Sequence, residues 1–226
     1  MSEPTHRFRL IVFDVDGTLV DSQQAIFSAM AMAFAEHGLP APDLAQVRQQ
    51  VGLSVEETMA RLLPAAEGDI AARLAGSFRQ AAFGLRRSPD YSEPLYPGVR
   101  ELLAELTHPL VFFGIATGKA RRGLDYTLAS HGIADRFHTL QTADRNPSKP
   151  DPAMLLNAMA EVGVPARQTV FVGDTSFDMN MALSAGISAV GAGWGYHATE
   201  DLRAAGAQRI IGKPGELPAA LSSMGG

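Results

Sequence analysis

The segment Asp14-Val15-Asp16-Gly17-Thr18 sets two carboxylates two residues apart, directly after a short apolar run. Side chains alternate along an extended chain, so both carboxylates point to the same side. Two acids this close repel unless a cation lies with them or one stays protonated. Gly173-Asp174 adds a third acid, and Asp178 follows four residues later. Carboxylate, carbonyl and water oxygens suit a hard divalent ion. Mg²⁺ characteristically takes one or two carboxylates together with substrate phosphate and water. Two other clusters offer what a phosphate needs. Thr117-Gly118 brings a hydroxyl and open backbone N–H groups, and Ser148-Lys149-Pro150 brings a compact positive charge. Metal and anion sites brought together serve phosphoryl transfer, where positioning and charge neutralisation do most of the work.

Each cluster alone has an ordinary structural explanation: Asp-Gly and Thr-Gly are common turns, a lysine before proline is usually solvated, and Asp178 could simply cap a helix. What raises their joint meaning is where they fall. Residues 8–13 form a β-rich apolar run broken only by Arg9, the pattern of a buried strand. After residues 91–98, a linker with two prolines and a glycine, strands and helices alternate. Strands are expected at 110–116, 139–142, 169–172, 187–190 and 209–211. Helices are expected at 121–130, 152–162, 176–185, 199–205 and 217–222, with a Gly-rich loop at 191–196. Such alternation implies a parallel sheet covered on both faces. In open parallel sheets the ligand site lies beyond the carboxyl ends of the strands, and Asp14, Thr117 and Asp174 all sit at such ends, with Lys149 just ahead of a helix.

Residues 22–87 read differently. Ala, Met, Gln, Glu and Leu dominate. Ile26, Met30, Ala33 and Phe34 keep helical spacing up to a stop at Gly38. Asp43 is placed to cap a second helix, Ser54-Val55-Glu56-Glu57 forms a capping box for a third that Pro64 should end, and residues 70–85 give a fourth. The expected architecture is therefore α/β: a Rossmann-like parallel sheet core (residues 1–20 and 90–226) with an inserted four-helix cap (21–89). The first strand returns to pair inside the later sheet.

The chain has 226 residues, 46% hydrophobic and 19% charged, with a net charge of −5 and no cysteine. That composition gives a sizeable core without disulfides. It gives no electrostatic reason to expect nucleic acid or an anionic membrane as partner. No signal-peptide pattern opens the chain, so a cytoplasmic protein is expected. Monomer and dimer are both left open.

Taken in order, these motifs and the insertion resemble the haloacid dehalogenase superfamily, in particular its phosphoglycolate phosphatase-like branch. The resemblance extends to Gly193-Trp194-Gly195-Tyr196, Ile210-Ile211 and residues 214–217. It implies Asp14 as the nucleophile that becomes an aspartyl phosphate. It implies Asp16 as general acid and then base, with its main-chain carbonyl on the metal. Thr117, Gly118 and Lys149 would hold the phosphoryl oxygens, and Asp174 would bind Mg²⁺ beside Asp14 and Asp16, with Asp178 in support. Arg48, Gly52 and Ser54 fall where family members reach the leaving group of a small phosphorylated metabolite, here expected to be phosphoglycolate or a similar ester. Dehalogenases and phosphonate hydrolases of the superfamily lack an acid at the position of Asp16, which argues against both. Phosphomutases of the β-phosphoglucomutase type keep it, so a mutase remains an alternative, as does an inactive binding protein on the same fold. Lys119, Arg121 and Arg122 could add charge at the site or form a solvated helix turn. His37, His108, His131, His138 and His197 are scattered and read as surface or satisfied histidines.

Overall fold

The structure is a computed structural model that describes residues 5–63, 68–89 and 91–224. Its centre is β1, Leu10–Phe13, every residue of which is buried. Leu10 and Val12 point into one apolar cluster, and Ile11 and Phe13 into the other. A strand with apolar side chains on both sides needs a layer of helices over each face, and the later elements provide them. In chain order these are β2 (Phe112–Thr117), α6 (Arg121–Ser130), β3 (Thr139–Thr142), α7 (Ala153–Val162), β4 (Thr169–Gly173), α8 (Ser176–Ser184), β5 (Ser188–Ala192), α9 (Thr199–Ala204), β6 (Arg209–Ile211) and α10 (Leu217–Ser223). All six strands are parallel, in the order β3-β2-β1-β4-β5-β6. Ile11 lies between Phe113 of β2 and Val170 of β4. Helices α7, α8 and α9 cover the Leu10/Val12 face, and α6 and α10 cover the Ile11/Phe13 face. The strand order reverses at β1, which makes its carboxyl end the crevice where ligands bind in such sheets.

One helix escapes the sequence reading. α5, Val99–Glu105, begins after Gly98, whose φ of +90° suits glycine. It buries Val99, Leu102 and Leu103 on the Ile11/Phe13 face. The strand expected from residue 110 starts instead at Phe112. Leu110 is exposed and Val111 closes a turn onto the His108 carbonyl. β5 runs on to Ala192, so Gly191 belongs to the strand rather than to the loop.

The insertion consists of α1 (Gln23–Glu36), α2 (Leu44–Arg48), α3 (Val55–Leu62) and α4 (Gly68–Leu85). These gather about their own apolar cluster, which includes Met30, Phe34, Val47, Met59 and Leu74. Asp43 accepts from the Gln46 N–H at 2.8 Å, and Gln46 Oε1 accepts from the Asp43 N–H, a complete capping box. Ser54 caps α3 by accepting from the Glu57 N–H at 3.3 Å. Pro64, the expected stop for α3, lies outside the described residues.

Leu103 is 2% exposed in the core layer that α5 completes. Leu103→Ala is expected to lower unfolding free energy by about 2–5 kcal/mol in urea titration. A loss below about 1 kcal/mol would contradict the packing described for α5.

Candidate active site

Asp14 leaves β1 with its N–H on the Val172 carbonyl at 2.9 Å, so the sheet fixes where its side chain starts. The chain then turns sharply: the N–H groups of Thr18, Leu19 and Val20 all donate to the Val15 carbonyl. Gly17 makes the turn with a φ of +83°, and a Cβ there would lie 2.1 Å from Asp174 Oδ2. Glycine is thus required both by backbone conformation and by the closeness of the β4 carboxylate. The turn returns the favour through Thr18 Oγ1, which donates to Asp174 Oδ1 at 2.7 Å, while the Tyr196 N–H donates to Oδ2 at 2.9 Å.

Lys149 is fully buried and lies between two acids, 2.8 Å from Asp14 Oδ2 and 2.7 Å from Asp178 Oδ1. The other Asp178 oxygen accepts from both the N–H and the hydroxyl of Thr175, the cap of α8. Asp178 is therefore a helix cap and an anchor for the lysine at once. Burial opposes the charge of Lys149, but Asp14 and then Asp178 outweigh it and raise its pKa. On the acid side, burial pushes the Asp14 carboxyl up to about 7, with Lys149 pulling it down and Asp178 and Asp16 adding to the rise. Burial, and then Asp178 and Asp14, likewise hold Asp174 well above the ordinary carboxylate range.

These acids are short of positive charge. Asp14, Asp174 and Asp178 each offer an oxygen within 4.8 Å of the others, and a single ammonium, that of Lys149, reaches into the cluster, at Asp14 and Asp178. An all-oxygen donor set of this kind fits a hard divalent cation such as Mg²⁺. Asp178 is tied to the Lys149 ammonium and to the cap of α8, whereas the donors to Asp174, Thr18 Oγ1 and the Tyr196 N–H, are both neutral.

Thr117 ends β2, buried, and its Oγ1 accepts from the Lys119 N–H at 3.2 Å. The Lys119 ammonium reaches back to Asp16 Oδ1 at 2.7 Å and to Glu93 Oε1 at 3.3 Å. Glu93 Oε2 in turn accepts from Thr127 Oγ1 at 3.1 Å. This chain of contacts settles what Lys119 touches and brings in Glu93, which the sequence reading missed. Arg121 turns to the surface, paired with Asp125. Arg122 lies over the Phe83 ring, 4.0 Å from its centroid.

Above the acids is a cavity of about 260 Å³. Asp14, Asp16, Thr117, Gly118 and Lys119 line its core side along with Tyr91, Glu93 and the start of α6, and the cap supplies the other wall. The cap turn meets the core closely: a Cβ on Gly118 would lie 2.3 Å from the Leu53 carbonyl oxygen. Gly52, with a φ of +103°, lines the cavity, but Arg48 and Ser54 do not. Arg48 Nη2 donates to the carbonyls of Gly195 and Tyr196 at 3.3 and 3.4 Å, and the Ser54 N–H donates to Ser148 Oγ at 2.8 Å. Both expected contacts to the leaving group thus sit in the seam that pins cap to core. The cavity walls come instead from α1 and α4, among them Ile26, Met30, Phe78 and Phe83.

Known proteins share this arrangement. The sequence pattern of the haloacid dehalogenase-like hydrolase family matches residues 11–192. The chain is 35% identical over 204 residues to a Dickeya dadantii protein described as probable phosphatase IndB, covering 89% of this chain and 88% of that one. It is 34% identical over 195 residues to a phosphoglycolate phosphatase of Pseudomonas putida, covering 84% and 71%. A solved haloacid dehalogenase-like hydrolase from Streptococcus pneumoniae superposes with a TM-score of 0.79 at 28% identity, over 95% of this chain and 98% of that one. With the family pattern spanning β1 to β5, and with phosphatases as relatives matched over 88% and 71% of their length, the chain belongs to the haloacid dehalogenase-like hydrolases and is a phosphatase of that family.

Proposed function

We propose that the protein is a Mg²⁺-dependent phosphomonoester hydrolase that acts on a small phosphorylated metabolite through a phosphoenzyme at Asp14. The observation that carries this reading is Asp14: a buried carboxylate that lines the cavity together with Asp16 and whose Oδ2 has the buried Lys149 ammonium beside it at 2.8 Å. That is the state of a nucleophile held ready. Mg²⁺, held by Asp14, Asp174 and the main-chain carbonyl of Asp16, would neutralise charge on the transferring phosphoryl group.

The reaction divides into two displacements. Asp14 Oδ2 attacks phosphorus, and the bond from phosphorus to the alcohol oxygen breaks as Asp16 gives that oxygen a proton. Thr117 and Lys149 hold phosphoryl oxygens, with the open backbone at Gly118 beside them. Water then enters, Asp16 takes its proton, and the water oxygen attacks phosphorus to release phosphate and restore Asp14. Lys119 fixes the direction of the Asp16 carboxylate for both transfers, because Oδ1 is engaged at 2.7 Å and the other oxygen is left to face the substrate. The naming of relatives, matched over 71% and 82% of their length, as phosphoglycolate phosphatases supports the metabolite class.

Asp14→Asn keeps the shape and removes the attacking oxygen. Its kcat for phosphate release is expected to fall by roughly three orders of magnitude or more. Retention of more than about a tenth of wild-type turnover would rule out covalent participation.

Excess EDTA is expected to silence phosphate release and added Mg²⁺ to restore it. Asp174→Ala should raise the Mg²⁺ concentration for half-maximal activity by roughly tenfold or more. Full activity in excess EDTA would end the metal-assisted reading.

Lys119→Met should slow release from an alkyl phosphate by roughly tenfold or more, and para-nitrophenyl phosphate much less, since a good leaving group needs little proton help. Lys119→Arg should recover part of the loss. Equal losses on both esters would mean that Lys119 serves folding alone.

A further inference from the structure

The cavity divides into two chemically different halves. Its core side carries the acids, Thr117 and Lys119. Its cap side is mostly hydrocarbon: Ile26 and Met30 from α1, Val51 and Val55 around the turn, and Phe78 and Phe83 from α4. Ile26, Val51, Val55 and Phe78 pack one side against the cap cluster while remaining only partly buried. The cavity gives their other side something to face. At about 260 Å³ it lies just below the roughly 300–1,000 Å³ in which small-molecule sites bury drug-sized ligands.

The cations along this wall are largely committed. Arg79 pairs with Glu56, Arg122 covers the Phe83 ring, and Lys119 joins Asp16 to Glu93. Arg86 is the exception in part: its Nε is buried without a hydrogen-bond partner, and its guanidinium lies beside the stem of Lys119 across Gly123. A two-carbon acid would set a carboxylate against a mainly apolar wall, at the cost of its hydration. An alcohol with a hydrocarbon body would instead remove both surfaces from water.

We propose that the leaving group for which this site is shaped is the alcohol of a phosphomonoester with an apolar body of several carbons, seated between α1 and α4, rather than a short hydroxy acid. The proposal rests on the phosphatase reading and specifies its substrate class. Hydrocarbon contacts distant from phosphorus would then hold the ester in line with Asp14 and favour reaction over a bare phosphate ester.

The test is Mg²⁺-dependent phosphate release from ethyl, butyl and hexyl phosphate, which share leaving-group chemistry, with 2-phosphoglycolate alongside. The expected result is a rise in kcat/KM of roughly tenfold for each added pair of methylenes, with hexyl phosphate above phosphoglycolate. Phe78→Ala should flatten the series. Ala82→Phe, which fills the cavity from α4 and keeps Phe78, should lower hexyl more than ethyl phosphate by about fivefold or more. A flat or falling series overturns the proposal while leaving the phosphatase reading intact. So does a preference for phosphoglycolate that Arg86→Met abolishes. Release from none of the four esters would sink the phosphatase reading itself.

Discussion

Four aspartates, Asp14, Asp16, Asp174 and Asp178, are buried at the ends of two neighbouring strands, where water can do little to hold their charge. Everything else about the site answers that constraint. Two lysines enter from different directions: Lys149 settles between Asp14 and Asp178, and Lys119 between Asp16 and Glu93. Backbone and hydroxyl donors from Thr18, Thr175 and Tyr196 take up further oxygens. A buried charge that loses its partner is far more costly than a pair never made, so these contacts stand or fall together. The negative charge still in excess gathers at Asp14 and Asp174, where a divalent cation would offset it.

On the proposed reading, the two layers of the molecule divide the work of recognition. The core presents charge and donors fixed by a rigid sheet, suited to a phosphoryl group that is the same in every ester. The cap presents hydrocarbon from helices with a separate apolar cluster, suited to a part of the substrate that differs from one ester to the next. Arg48 and Ser54 connect the two layers through hydrogen bonds to Gly195, Tyr196 and Ser148. Because Ser148 adjoins Lys149, and Tyr196 binds Asp174, the cap is fastened to residues next to those that would hold the phosphate and the metal.

Much of this was legible in the sequence, for physical reasons. Fully buried parallel strands are continuous apolar runs, which is why Leu10–Phe13 and Thr169–Gly173 stand out and why the acids at their ends could be placed. Capping side chains are local signals, so α2 and α3 began at Asp43 and Ser54 as expected. Two-turn α5 offered too short a period to see, although Val99, Leu102 and Leu103 keep its spacing. Gly191 read as loop because glycine is poor in strands. It is strand because a Cβ there would press Leu202 at 3.1 Å, so the missing side chain lets α9 pack closely. The pairing of Lys119 with Asp16 spans 103 residues and obeys no period. Whether Arg48 faced substrate or core depended on how the cap seats, which no local pattern records.

The position of β1 has a consequence for how the chain is made. Its four residues are synthesised first, yet they pair with Phe112–Ile115 and Thr169–Val172. The cap helices, whose contacts are close in sequence, can order while the remainder is still being translated. The strand that leads into Asp14 must wait for Thr169–Val172, far along the chain, a long loop closure of the kind that slows folding. Until then an exposed hydrophobic strand with two free edges is held near the ribosome, the sort of segment on which chaperones act. Placing Asp14 at the centre of the sheet gives it a rigid seat, and also makes it dependent on strands made much later.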